Sequence, residues 1–259
     1  MKNIFLVQNK RYEKFEQQLK AQTLKEKLVV IFNYLLPGII ATLLINVKFI
    51  HFPLADFLDL SFNNFQFWVL IGITFGWHIC YPIFMLRVIK KYKWNEVFQA
   101  LSMDEFSKKG FFILTPLFFI LTLSIALPYM KFCFGTVHDF LQSISLFQIP
   151  KHSIFHSYDT IYGFAPWQLL LLFVGNFLGE EIYFRGYLMK KSAFLGRHNW
   201  WVHSILFTLY HFWQIPMTYA LGLISLSFGL LMQWRKNLYE LILLHIMINL
   251  LLPILTQLI

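Results

Sequence analysis

Seven stretches of this chain are apolar over about the length of a membrane-crossing helix. That succession constrains the fold more than any single motif. A spanning helix needs about 20 largely apolar residues, and the runs lie at about 28–47, 66–86, 110–130, 166–189, 199–214, 217–234 and 238–257. A soluble core does not take them up: 58% of the 259 residues are hydrophobic and 14% charged, against roughly 25% charged in an ordinary soluble domain. In lipid each backbone polar group must be satisfied within its own segment, so the runs read as helices. The expected fold is all-α, a polytopic transmembrane helical bundle of about seven spans. Residues 131–163 hold enough aromatic and aliphatic side chains for a re-entrant segment or an extra helix, which sets an alternative count of eight.

Residues 1–27 are expected to be a cytoplasmic tail. Tyr12, Phe15, Leu19 and Thr23 fall at helical spacing, which favours an amphipathic helix on the membrane face over a disordered tail. No small-residue cleavage site follows an apolar core, so the tail does not read as a signal peptide. Residues 28–259 read as one membrane domain, with its candidate catalytic core at 165–255. Within it, 48–64 reads as a polar, turn-prone connection and 87–109 as a basic loop. Pro37 and Gly38 are expected to kink the first span, Pro216 to join the fifth and sixth tightly, and Gly222 and Gly229 to allow close packing of the sixth.

The net charge of +9 does not indicate nucleic-acid binding, because the basic residues flank the apolar runs instead of forming one stripe. Seven spans with a cytoplasmic N-terminus and an outside C-terminus put 18 of the 22 Lys and Arg on the cytoplasmic side and leave Lys48, Lys131 and Lys151 outside. That is the inside-positive bias of a membrane protein. Cys80 and Cys133 fit neither a disulfide framework nor a metal spacing.

The fourth run contains three residues that do not belong in lipid: Glu180, Glu181 and Arg185. Each unpaired charge at mid-bilayer costs roughly 2.5–3.5 kcal/mol. Glu181 and Arg185 are i,i+4 in the favourable order and are expected to pair. Glu180 points away from them and needs a partner on another helix. The fifth run supplies His203 and His211, and the seventh supplies His245 and Asn249 at i,i+4. At 1.5 Å per residue, Glu180, His211 and His245 all lie roughly 10–16 Å from the cytoplasmic ends of their runs. The chemistry that fits is attack of water on an amide. Glu180 and His211 would hold and deprotonate the water, and His245 and Asn249 would donate hydrogen bonds to the developing oxyanion. A zinc version stays open beside the metal-free one, with Glu180, His211 and His245 as ligands and no other cofactor. No HExxH helix is present to favour it. His203 and His78 read as core or supporting residues.

Three motifs in order resemble the CAAX-protease and bacteriocin-processing family of intramembrane proteases: the paired glutamates 180–181 with Phe184, Arg185 and Gly186, then Phe207 with His211, then His245 with Asn249. The resemblance covers roughly 165–255. It implies water activation by Glu180 and His211, oxyanion stabilisation by His245 and Asn249, and supporting roles for Glu181, Arg185 and Phe207. It also implies a membrane-anchored peptide or protein as substrate. The small size and the many Lys, Asn, Ile and Phe favour a bacterial plasma-membrane member. Two rivals are a bacteriocin-immunity or other binding protein that cleaves nothing, and a transporter. A transporter should show repeated halves or broken helices in corresponding positions, and the sequence shows neither.

Overall fold

The computed structural model describes residues 22–153, 163–214 and 221–256. The expected tail helix over 1–21, the joint at Pro216 and part of the 131–163 segment lie outside the described residues. Every regular element among the described residues is a helix. Helix α1 spans Leu24–Asn46, α3 Phe62–Ile89, α5 Gly110–Phe132 and α10 Leu238–Thr256, each long and apolar enough to cross a membrane. The protein is therefore a multi-pass, all-α membrane bundle. Three more helices lie in the remaining apolar runs and are not among those four. Helix α7 covers 166–191 and carries Glu180, Glu181 and Arg185 within it; α8, Asn199–Tyr210, and α9, Leu221–Arg235, have 12 and 15 residues.

Two expected loops are helical in part. Helix α2, Lys48–Phe57, forms where a polar connection was expected, because His51 and Ala55 share an i,i+4 face that is buried. Helix α4, Trp94–Ala100, lies in the basic loop and buries Val97. Within 131–163, the ten-residue helix α6, Phe134–Ser143, follows α5. Helix α1 also begins earlier than the sequence pattern suggests. Thr23 caps it, accepting from Glu26 N–H, while Glu26 accepts from Thr23 N–H at 2.7 Å. Those reciprocal bonds satisfy two donors that a helix start leaves open.

The helices that carry the polar residues are held together by backbone approach. Pro37 has no N–H, so the Asn33 carbonyl one turn earlier loses its helical donor. The Tyr183 hydroxyl of α7 donates to that carbonyl at 2.6 Å. Gly38, the next residue, lies directly against the Tyr210 carbonyl of α8, where no side chain fits. Gly179 of α7 does the same against α3, where a Cβ would sit 2.7 Å from the Thr74 carbonyl oxygen, and Gly175 lies against the Thr74 side chain. Gly229 of α9 meets the Trp200 carbonyl of α8, and a Cβ on Gly222 would approach Thr208 Oγ1 to 3.3 Å. In lipid, where apolar surface gives little drive for helix association, such small-residue contacts are the main source of packing.

Candidate active site

Helix α7 brings the charges into the centre of the bundle. Over Glu181–Leu188 its hydrogen bonding widens, and Met189 N–H reaches the Phe184 carbonyl, one residue beyond the α-helical pattern. Such widened turns are common at functional sites. Glu180, Glu181 and Arg185 are all buried. Arg185 Nη1 donates to Glu181 Oε1 at 3.0 Å and Arg185 Nη2 donates to Ser225 Oγ of α9 at 3.1 Å. The guanidinium lies 3.9 Å from the Phe207 ring centre and 5.1 Å from that of Phe228. Phe207 also meets the His211 ring edge-on at 4.7 Å. The phenylalanine of the Phe-x-x-x-His pattern thus separates a cation from an imidazole and contacts both.

His211 follows the last turn of α8. Its Nδ1 lies 2.9 Å from the Phe207 carbonyl oxygen. A carbonyl only accepts, so Nδ1 carries the hydrogen. That places Nε2 toward Glu180, at 3.5 Å from Oε1. The separation is long for a direct hydrogen bond and well inside the reach of one shared water. His245 of α10 places Nδ1 2.8 Å from Glu181 Oε1, so that oxygen accepts from both His245 and Arg185. Asn249, one turn on, donates from Nδ2 to Asn176 Oδ1 of α7 at 2.6 Å.

Glu180, His211, His245 and Asn249 line one cavity of about 100 Å³, together with Arg185, Phe207 and Asn176. That is ample room for water beside the Glu180 carboxylate. Among the described residues, no group of three or more His, Cys, Asp or Glu side chains is arranged to hold a metal ion.

Other sequence candidates fall elsewhere. The His203 Nδ1 and Tyr34 hydroxyl are 2.8 Å apart, and that hydroxyl lies 3.1 Å from Ser192 Oγ, a network that fixes the end of α7. His78 is buried against Tyr183, Phe184 and Tyr210, and among the described residues neither ring nitrogen has a hydrogen-bond partner. Both cysteines are free and exposed. Sequence reasoning missed Asn176, Ser225 and Phe228. Asn176 left a readable signal, an amide four residues before Glu180 in an apolar run. Ser225 and Phe228 left none, since they matter only through what they touch on α7 and α10.

No curated protein and no solved structure matches the chain. The family model described as type II CAAX prenyl endopeptidase Rce1-like matches residues 162–251; the stretch of chain that builds this cavity and carries the three motifs is therefore similar to that family.

Proposed function

We propose that the protein is an intramembrane endopeptidase that hydrolyses a peptide bond of a membrane-anchored peptide or protein with a water held between Glu180 and His211. The observation that carries this reading is the pairing of Glu180 Oε1 with His211 Nε2 at 3.5 Å in a cavity that His245 and Asn249 also line. With Nδ1–H on the Phe207 carbonyl, the neutral form of His211 presents Nε2 as an acceptor on the side of Glu180. A water can then donate one hydrogen to Nε2 and one to Glu180, which leaves its lone pair for the scissile carbonyl. Glu180 takes the proton as the C–O bond forms and gives it to the leaving amine as the C–N bond breaks.

The negative charge that develops on the carbonyl oxygen needs donors. Asn249 has an amide N–H to give. The His245 Nδ1–H is held by Glu181, and in its protonated form the ring donates Nε2–H as well. Glu181 and Arg185 act as the frame: they fix His245 and tie α7 to α9 through Ser225.

The same reading places the protein in a bacterial plasma membrane with seven crossings, a cytoplasmic N-terminus and an outside C-terminus. The distribution of basic residues supports that orientation. The test is incubation of proteoliposomes with membrane-anchored peptides in oxygen-18 water. Two fragments are expected, the new carboxyl group carrying the label, at a rate that a chelator leaves unchanged. Inhibition by the chelator would instead support the zinc version with Glu180, His211 and His245. Binding of peptide without fragments would support the immunity-protein reading.

A further inference from the structure

Asn176 lies one helical turn before Glu180 and lines the same cavity. Its Oδ1 accepts the hydrogen bond from Asn249 Nδ2 at 2.6 Å, and among the described residues it is the one side chain hydrogen-bonded to Asn249. A side-chain amide has one acceptor oxygen and one NH2 group. If Asn249 turned over, it would offer an oxygen where the reaction needs a donor. With Asn176 Oδ1 turned to it, Asn249 directs Nδ2 to α7 and keeps its second N–H for the cavity. Helix α7 is braced at this point, because Gly175 and Gly179 on either side of Asn176 press against Thr74 of α3.

We propose that Asn176 is a positioning residue for the hydrolytic reaction, holding the Asn249 amide in the orientation that donates to the oxyanion. The proposal rests on the proteolytic reading above and adds a residue outside the three motifs that carry it.

The test is steady-state cleavage of a membrane-anchored peptide in liposomes by wild type, Asn176→Leu, Asn176→Asp, Asn249→Ala, the Asn176→Leu/Asn249→Ala double variant and Glu180→Gln. Asn176→Leu keeps the branching at the γ-carbon and loses the acceptor; its kcat should fall by about 10- to 100-fold with KM within about twofold, a smaller loss than that of a deleted oxyanion donor. Asn176→Asp keeps an acceptor oxygen in either protonation state and should recover most of kcat. The double variant should be no slower than Asn249→Ala alone, because the two residues act as one unit. If Asn176→Leu does not fold, Asn176→Ser, too short to reach Asn249, takes its place with the same expectation. Wild-type kcat in that variant, or a further loss on the Asn249→Ala background, overturns the positioning role. Full activity in Glu180→Gln would instead overturn the proteolytic reading and leave the geometry of the amide pair intact.

Discussion

Glu181 Oε1 accepts two hydrogen bonds, one from His245 Nδ1 at 2.8 Å and one from Arg185 Nη1 at 3.0 Å. Its neighbour Glu180 is paired with His211 instead. Adjacent carboxylates in one helix therefore have different partners, and their substitutions should separate. Glu181→Leu leaves Arg185 buried without its carboxylate, a loss of about 3–5 kcal/mol. Glu180→Gln should unfold at nearly the wild-type temperature and be inactive. Thermal unfolding in detergent checks both, and equal destabilisation by the two substitutions would contradict the division of roles.

The glycines give a second contrast. A Cβ at Gly179 would press on the Thr74 carbonyl, whereas Gly72 in α3 has nothing within 4 Å of that position. Gly179→Ala should cost about 1–3 kcal/mol through overpacking. Gly72→Ala should be neutral or stabilising by up to about 1 kcal/mol, since alanine is the better helix former. Unfolding of the two variants side by side measures the difference.

Tyr183 replaces a hydrogen bond that Pro37 removes, by donating to the Asn33 carbonyl. Tyr183→Phe leaves that carbonyl unpaired and should cost about 1–3 kcal/mol. Pro37→Ala restores a helical N–H, so on the Tyr183→Phe background it should recover part of the loss. A double variant no more stable than Tyr183→Phe alone would rule out this compensation.

His51 and His152 give a pH-dependent contact. His51 Nδ1 donates to the Leu44 carbonyl and His152 Nε2 to the Ile45 carbonyl, with the rings 5.4 Å apart. The other nitrogen of each ring is buried and has no hydrogen-bond partner among the described residues. Burial holds both imidazoles below the usual histidine value of 6.5, with Lys48 acting in the same direction on His152. Protons bind the unfolded rings first, so this contribution is complete above about pH 6.5 and is lost as pH falls below it. Hydrogen exchange at 149–153, corrected for intrinsic rate, should be faster at pH 5.5 than at 7.5. Equal protection at both values would contradict it.

The membrane bundle was legible in the sequence because lipid enforces one rule along every span. The charged residues of α7 were legible because that rule makes them conspicuous. Helix α2 was not: His51 and Ala55 look polar and small in isolation, and their face exists only once the 149–153 segment packs on it. The capping of α1 at Thr23 was readable as a local pattern, yet the run of hydropathy hid it. The partners of Glu181 were half legible. The i,i+4 spacing pointed to Arg185, but His245 lies 64 positions away, and only the packing of α10 on α7 brings them together.

The central claim is that Glu180 removes the proton from the attacking water. Its most direct test is the single-turnover rate of peptide cleavage in liposomes by wild type and by Glu180→Gln, with folding of the variant verified. Loss of a general base lowers such rates by about 10² to 10⁴, and a fall in that range, with peptide affinity unchanged, is the expected result. A Glu180→Gln enzyme that cleaves within about threefold of wild type would contradict the account.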